Sequence, residues 1–385
     1  MRDMRILLTL LTSFLAAVAV AEPRARELGV PFEGATGLLN AITDVTGVTV
    51  GHATLIEDLA NGRKARTGVT AILPRGRGSL KTPVFAGGFV LNGAGEMTGT
   101  SWIEESGTLD GPVMLTNTHS VGTVHEATIA WRVRQGDADA AGYFWSTPVV
   151  AETWDGHLND VNGFHVKPAH VNAALDSAQG GPVAEGNVGG GTGMTCHEFK
   201  CGIGTASRRV DVDGHARIVG VLVQANYGTR DSLRIAGVPV GQHLLEDRPK
   251  DHAPAEGDNG SIIIVVATDA PLLPHQLKRI ARRASLGLAR LGSFAGNGPG
   301  DIFVAFSTAN EAALAGKPLA QAEFMDNASL DRLFEATVQA TEEAIVNAMI
   351  AARDMEGDGG RWAKALPQSE LVALLKRYGR LPEAK

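Results

Sequence analysis

A serine stands where a polar, glycine-rich approach meets an uninterrupted apolar run. The approach ends at Asn259-Gly260-Ser261, and Ile262-Ile-Ile-Val-Val-Ala267 follows at once. The run is short and β-branched, which is typical of a strand buried on both faces. Because Asn-Gly is a strong turn signal, these residues alone favour a tight turn that opens a strand.

The other interpretation of this serine is a self-cleavage site. The Ser261 hydroxyl oxygen attacks the Gly260 carbonyl carbon, the peptide becomes an ester, and water releases a new amino-terminal Ser261. Glycine suits the preceding position because it tolerates the strained backbone that such an attack needs. The new α-amine, with an unperturbed pKa of about 7.7–8.0, could serve as the base for its own hydroxyl.

Polar residues also end two other apolar stretches. Pro148-Val-Val-Ala-Glu-Thr-Trp-Asp-Gly156 begins as a buried strand and places Glu152 and Asp155 at its end. Such carboxylates are either solvated loop charges, which is the commoner case, or residues of a site. A strong buried strand within residues 216–226 ends at Asn226.

A glycine loop and a pair of cysteines follow one another in the middle of the chain. Residues 186–193 lack the Gly-Lys-Ser/Thr ending of a phosphate loop and do not fit G-x-G-x-x-G before a helix, so we expect no nucleotide site. Cys196 and Cys201 are the only cysteines, and C-x4-C without a second pair is a poor zinc pattern. They form either a local disulfide or two buried thiols.

Composition indicates an ordinary globular protein of one or two domains. Of the 385 residues, 44% are hydrophobic and 20% charged, and the net charge of −7 argues against a nucleic-acid partner. Arg2 and Arg5, an apolar stretch and the small residues before Glu22 predict a signal peptide over residues 1–21. A retained anchor helix is the alternative, although the apolar stretch is short for a membrane span. We therefore expect a periplasmic or secreted protein with no membrane contact after signal removal.

The remaining pattern predicts the elements that position these residues. Short strands come in adjacent runs, and helices are predicted over 121–134, 166–179, 274–291 and 330–355. Residues 243–260 are charged and rich in proline and glycine, so we expect an exposed connector there. Mainly antiparallel sheets covered by helices make a layered α+β domain.

Taken together, these segments resemble the family of L-aminopeptidase/D-esterases and β-peptidyl aminopeptidases over roughly residues 28–350. The motifs that carry the resemblance are, in chain order, Asn40-Ala-Ile-Thr-Asp-Val-Thr-Gly-Val-Thr-Val-Gly-His52, Pro148-Val-Val-Ala-Glu-Thr-Trp-Asp-Gly-His-Leu-Asn-Asp160, Gly189-Gly-Gly-Thr-Gly-Met194, Gly202-Ile-Gly-Thr-Ala-Ser207, Val221-Leu-Val-Gln-Ala-Asn-Tyr-Gly228 and Asn259-Gly-Ser-Ile-Ile-Ile-Val-Val-Ala-Thr-Asp-Ala-Pro-Leu272. They are specific together, and none would suffice alone.

The resemblance implies a self-processing serine N-terminal-nucleophile hydrolase with a four-layer α/β/β/α sandwich. A single catalytic domain, residues 22–385, would be cleaved into 22–260 and 261–385. In the family's pattern Ser261 matches the nucleophile, Asn226 the donor that steadies the oxyanion, and Glu152 the carboxylate that meets the substrate's ammonium. Removing one oxyanion donor typically costs about 10²–10³ in rate.

Two positions depart from the family's pattern. Trp154 stands where the family usually has tyrosine, and its indole either donates to the oxyanion or narrows the pocket. The later loop usually reads Gly-Ser-Gly-Glu, whereas this chain has Gly298-Pro-Gly-Asp301. Pro299 therefore removes one hydroxyl partner of the nucleophile, while Asp301 keeps the charge on a shorter stem.

The expected function is a serine aminopeptidase acting on short peptides, amides or esters with a free amino terminus, D-amino acid esters or amides and β-peptides included. The resemblance implies no cofactor or metal and a homo-oligomer of cleaved pairs. One alternative is the acetyl-transferring relative of the same architecture, but that enzyme uses threonine inside the cell, and position 261 is serine. The other is a catalytically impaired binding scaffold, supported by Trp154 and Pro299 alone.

Overall fold

The computed structural model describes residues 23–212, 214–245, 260–316 and 318–381. The predicted signal peptide and most of the predicted connector, residues 246–259, lie outside this described part. Gly260 and Ser261 are consecutive residues of one chain here, so the cleaved form is not what the structure shows.

The strands come mostly in runs, with the α-helices between the runs. The strands are β1 Thr49–Asp58, β2 Lys64–Leu73, β3 Val84–Val90, β4 Thr108–Leu109, β5 Val113–Asn117, β6 Val149–Thr153, β7 Thr195–Cys196, β8 Phe199–Lys200, β9 Ile203–Val212, β10 His215–Asn226, β11 Ser261–Thr268, β12 Ile302–Ser307, β13 Met355–Glu356 and β14 Trp362–Ala363. The α-helices are α1 Thr100–Ser106, α2 Val121–Arg134, α3 Pro168–Asp176, α4 Val240–His243, α5 Pro274–Arg290, α6 Asp331–Ile350 and α7 Gln368–Arg377.

Two large sheets are built from these strands. The larger has the order β4-β3-β12-β11-β10-β9, and the smaller has the order β1-β2-β5-β6. Neighbouring strands are antiparallel except in the pairs β11–β12 and β5–β6, which are parallel. The mainly antiparallel prediction is therefore confirmed, and β11 lies inside its sheet with a partner on each side.

Three apolar cores separate four layers. One core lies between the two sheets, a second between the larger sheet and helices α5 and α6, and a third between the smaller sheet and helices α2 and α3. The α/β/β/α sandwich predicted from the family resemblance is thus confirmed.

The uninterrupted apolar run of β11 follows from this layering. Ile263 and Val265 belong to the core between the sheets, whereas Ile262 and Ile264 belong to the core under the helices. Full burial of such a side chain is worth about 1.5–3 kcal/mol relative to exposure. The strand is therefore anchored on both faces.

Two helix boundaries differ from the sequence-based expectation, and one helix was not expected. The helix predicted over 330–355 ends at Ile350, and Met355 instead pairs with Ala363 in β13 and β14. The helix predicted over 166–179 is shorter, because Gln179 forms a bridge with Val50 of β1. Helix α1 was not predicted, since seven residues are too few for an apolar period.

A disulfide joins Cys196 and Cys201, which settles the choice that the sequence left open. The bridge closes a small hairpin made of β7 and β8. Within the described ranges, no helix combines the length and the apolar character needed to cross a bilayer.

Candidate active site

The predicted site residues gather at one edge of the sandwich. β10 ends at Asn226 and β11 begins at Ser261, and these two residues pair directly across the antiparallel ladder. Directly opposite residues have Cβ atoms about 4.5–5.5 Å apart, so their side chains lie side by side. β12 runs parallel to β11 and begins immediately after Asp301. The ends of three neighbouring strands thus place three predicted residues together.

Ser261 faces the space between the two sheets. Side chains alternate along a strand, and Ser261 shares its face with Ile263 of the inter-sheet core. The residue is 7% exposed, and its Oγ accepts a hydrogen bond of 2.9 Å from the Gly300 N–H. Although Pro299 brings no hydroxyl, the main chain of the next residue supplies a donor to the serine oxygen.

Gly260 lies against the main chain at the end of β10. A Cβ at position 260 would overlap the carbonyl oxygen of Asn226 and lie 2.6 Å from the Cα of Tyr227. Only glycine fits such a close approach of two backbones. This steric requirement is a second reason for glycine before the serine, beside the backbone tolerance expected from the sequence.

Asp301 binds the main chain next to Ser261. Its Oδ1 accepts a hydrogen bond of 3.2 Å from the Ile262 N–H, and its Oδ2 accepts one of 3.1 Å from the Asn92 side-chain amide. The carboxylate is buried. Asp301 is therefore fixed beside Ser261, and Asn92, which the sequence did not single out, holds it there.

Asn226 is held at both ends of its amide by main-chain groups. Its Oδ1 accepts a hydrogen bond of 2.9 Å from the Thr195 N–H. Its Nδ2 donates one of 2.8 Å to the Trp154 carbonyl oxygen. An amide nitrogen carries two N–H groups, so a second donor is available beside Ser261.

Glu152 is a buried carboxylate on the smaller sheet. It is 3% exposed; its Oε1 accepts a hydrogen bond of 3.0 Å from the Glu96 N–H, and its Oε2 accepts one from the Thr118 hydroxyl. Burial raises the pKa of Glu152, and the bonds from Thr118 and Glu96 oppose that rise. A desolvated carboxylate of this kind favours a cationic partner.

A glycine contact links Glu152 to the Ser261 neighbourhood. A Cβ at Gly95 would lie 3.2 Å from the Glu152 Oε1 and 2.9 Å from the Cα of Gly300, the residue whose N–H binds Ser261. The carboxylate and Gly300 thus both lie against Gly95. The site therefore spans both sheets.

Trp154 stands at the rim of this site. Trp154 is 47% exposed. Its indole packs against Gly156, where a Cβ would lie only 2.8 Å from the indole Nε1. Its carbonyl oxygen, rather than the indole, contacts Asn226. The role of the indole, as an oxyanion donor or as a wall of the pocket, stays a prediction.

A known peptidase family matches most of this chain. Peptidase family S58 matches residues 40–363. The chain belongs to this family. The beta-peptidyl aminopeptidase BapA of Sphingosinicella microcystinivorans is 54% identical to this S58 chain over 387 residues, which cover 96% of both proteins.

Two solved structures resemble the S58 chain over nearly its whole length. The L-aminopeptidase D-Ala-esterase/amidase of Ochrobactrum anthropi, described as a prototype of the serine aminopeptidases and a variant of the Ntn hydrolase fold, has a TM-score of 0.88 and 51% identity. A beta-aminopeptidase of Burkholderia sp. has a TM-score of 0.85 and 49% identity. Each comparison covers 94% of this chain and all of the other. The S58 chain is a serine aminopeptidase with the N-terminal-nucleophile hydrolase fold.

Asp155 plays a different part from Glu152, although neither carboxylate is solvated. Asp155 is fully buried, and its oxygens accept hydrogen bonds from the side-chain amides of Asn117 and Asn159. Burial raises the pKa of Asp155 to about 6. These contacts connect β5 to the segment after β6, so Asp155 stabilises the main chain next to Glu152 and Trp154. Among the described residues, no group of three or more His, Cys, Asp and Glu is placed to hold a metal ion.

Proposed function

We propose that this S58 aminopeptidase cleaves its own chain between Gly260 and Ser261 and then uses Ser261 to remove amino-terminal residues from short peptides, amides and esters. The observation that carries the proposal is the pairing of Ser261 with Asn226 at the strand ends, with the Gly300 N–H on the serine oxygen. Nucleophile and oxyanion donor then lie side by side on rigid elements.

Self-cleavage proceeds by an acyl shift. The Ser261 Oγ bonds to the Gly260 carbonyl carbon, the C–N bond breaks, and the hydroxyl proton passes to the nitrogen that becomes the α-amine. Water then adds to the ester, which leaves a Gly260 carboxylate and regenerates the Ser261 hydroxyl. Both steps pass through a tetrahedral oxyanion, and we assign its stabilisation to the second N–H of Asn226 Nδ2, the first being donated to the Trp154 carbonyl oxygen.

Turnover repeats this chemistry on an external substrate. The α-amine of Ser261 takes the proton of its own hydroxyl as Oγ attacks, and gives it to the leaving amine or alcohol. Water then hydrolyses the acyl-enzyme. Asp301 already binds the Ile262 N–H, and we assign it the role of holding the new α-amine one residue earlier.

Glu152 gives the enzyme its selectivity for free amino termini. A substrate ammonium would pair with the buried carboxylate, whose two described hydrogen bonds come from neutral donors, the Glu96 N–H and the Thr118 hydroxyl. The names of the relatives support two substrate groups for this chain: peptides with an amino-terminal β-residue, and esters or amides of D-alanine.

Export and assembly belong to the same proposal. The buried Cys196–Cys201 bridge fits an oxidising compartment, which supports the signal peptide predicted over residues 1–21 and a periplasmic or secreted enzyme. A homo-oligomer of cleaved pairs stays a prediction from the family resemblance.

The intact mass of the purified protein tests self-cleavage. Wild type should give two fragments, and the smaller should begin Ser-Ile-Ile-Ile on amino-terminal sequencing. Ser261→Ala should stay one chain, whereas Ser285→Ala, a serine of α5 bonded to its own helix, should mature as wild type does. Equal cleavage in the Ser261→Ala protein would refute the proposal.

A further inference from the structure

The orientation of the Asn226 amide is fixed by two main-chain groups of opposite character. The Thr195 N–H donates to Oδ1, and the Trp154 carbonyl accepts from Nδ2. Turning the amide by 180° would set an NH₂ against an N–H and an oxygen against a carbonyl oxygen. The direction of the second Nδ2 hydrogen therefore depends on where Thr195 holds its N–H.

Thr195 lies in a hairpin that is too short to hold itself. Only two residue pairs join β7 and β8, Thr195 with Lys200 and Cys196 with Phe199. Its two turn residues, His197 and Glu198, have φ angles of 48° and 61°. Non-glycine residues in this left-handed region are strained, and isolated hairpins are marginal even when longer. Contacts beyond this two-pair ladder must therefore hold the conformation.

Three buried attachments impose it. The disulfide Cys196–Cys201 closes the hairpin at its base. The Lys200 Nζ donates to the carbonyl oxygens of Met194 at 2.7 Å and Cys201 at 2.5 Å, so that it ties the residue before Thr195 to the end of the hairpin. At the turn, the His197 N–H donates a hydrogen bond of 2.7 Å to the carbonyl oxygen of Tyr227, the residue that follows Asn226.

We propose that this cystine hairpin, residues 194–201, is a positioning device for catalysis: the Cys196–Cys201 bridge and Lys200 hold the Thr195 N–H on Asn226 and thereby aim the Asn226 donor at the oxyanion. The inference rests on the proposed role of Asn226 and adds the residues that control it. We assign the hairpin residues as positioning residues, because their described contacts lead to Asn226 and to the hairpin itself. Substrate binding should not depend on them, because Glu152 is held separately by Glu96 and Thr118.

The test compares kcat and KM of matured enzyme carrying Cys196→Ser together with Cys201→Ser. We expect kcat to fall by about tenfold or more, up to the roughly 10²–10³ that loss of one oxyanion donor costs. KM for a free-amine substrate should change by less than about twofold, and self-cleavage should slow together with kcat. Lys200→Met keeps the disulfide and should shift kcat in the same direction, so it carries the test if the cystine-free chain does not fold.

Two controls separate positioning from a general loss of stability. Leu371→Ala, a buried residue of α7, should lower the melting temperature and leave kcat unchanged. In an Asn226→Ala background, adding Cys196→Ser and Cys201→Ser should lower kcat by less than about twofold relative to Asn226→Ala alone. The reason is that all these changes act through the same hydrogen-bond donor. A folded disulfide-free enzyme with wild-type kcat, or the full loss repeated in that background, would overturn the inference.

A variant of Asn226 alone tests the proposed role of Asn226 separately from the role of the hairpin. Wild-type kcat in Asn226→Ala alone would remove Asn226 from the site, whatever the hairpin does. If the Asn226→Ala protein stays uncleaved, the proposed role of Asn226 is supported. The role of the hairpin is then tested by whether the double cysteine variant and Lys200→Met lower kcat without changing KM, and by their self-cleavage half-times.

Discussion

Replacing Glu152 by glutamine removes one charge from the site and leaves its shape nearly unchanged. The glutamine oxygen keeps the hydrogen bond from the Glu96 N–H. The Thr118 hydroxyl, which now donates to the carboxylate, turns to accept from the new NH₂, since a hydroxyl serves as donor or acceptor. The local fold is therefore retained, and the change in kcat/KM of the variant measures the contribution of the Glu152 charge.

The magnitude follows from the burial of this carboxylate. Breaking a buried ion pair by removing one partner costs about 3–5 kcal/mol, and each 1.36 kcal/mol is a factor of ten in rate. Glu152 is 3% exposed but keeps two hydrogen bonds without the substrate, so we take the lower part of that range. Glu152→Gln should lower kcat/KM for free-amine substrates by roughly 10²–10³.

The assay compares H-Ala-p-nitroanilide with its N-acetyl form on both proteins. Wild type should strongly prefer the free amine, Glu152→Gln should lose most of that preference, and self-cleavage should remain. Glu104→Gln, an exposed carboxylate paired with Lys278, is the matched control and should behave as wild type. Equal hydrolysis of the two substrates by wild type would refute the role of Glu152.

Acidification should act on the same group. Because burial raises the pKa of Glu152, the carboxylate gains a proton at a higher pH than an exposed glutamate does. KM for free-amine substrates should therefore rise as pH falls through that raised pKa, while the N-acetyl substrate and the Glu152→Gln protein should show no such change. Identical KM profiles in wild type and variant would contradict this reasoning.

Three further predictions concern other parts of the chain. Gly260→Ala should slow self-cleavage more than tenfold (an order-of-magnitude expectation), because its Cβ would overlap the Asn226 carbonyl oxygen; intact-mass time courses measure this, and wild-type cleavage would contradict it. The raised pKa of Asp155, about 6 instead of 3.8, means that the folded state binds this proton more tightly. The unfolding free energy should thus fall by about 3 kcal/mol as pH rises across that interval, and denaturant titrations should lack this component in Asp155→Asn. Mature protein from the native host should begin at Glu22 in an exported fraction; retention of Met1 in the cytosol would disprove the signal peptide.

The sequence predicted the parts of the site that depend on side-chain type and strand position. Ser261 and Asn226 stand at the ends of apolar runs, and those runs became neighbouring strands with the two residues paired. The local pattern made a solvated charge the commoner case for Glu152, and the family resemblance assigned it to the site; the structure buries it. Local pattern sufficed for the strands themselves, because burial on both faces dictates such runs.

The contacts that orient these residues could not be predicted in the same way. The Gly300 N–H on Ser261 and the Thr195 N–H on Asn226 come from the main chain, which every non-proline residue carries, so sequence offers no signal for them. Asn92 reaches Asp301 from a loop distant in sequence. The disulfide likewise depended on a geometry that spacing does not give.

The central position of β11 determines how unfolding would differ between the continuous chain and the enzyme cleaved as proposed before Ser261. Residues 261–381 supply two inner strands and the helix layer formed by α5 and α6, so a cut before Ser261 leaves the fragments interlocked by their ladders and cores. While the chain is continuous, refolding is a unimolecular search. After cleavage the same search needs two molecules to meet, and recovery from denaturation becomes dependent on protein concentration. The stability of the cleaved enzyme should thus depend on a slow rate of unfolding rather than on a reversible equilibrium. The uncleaved precursor, in contrast, should refold readily at high dilution.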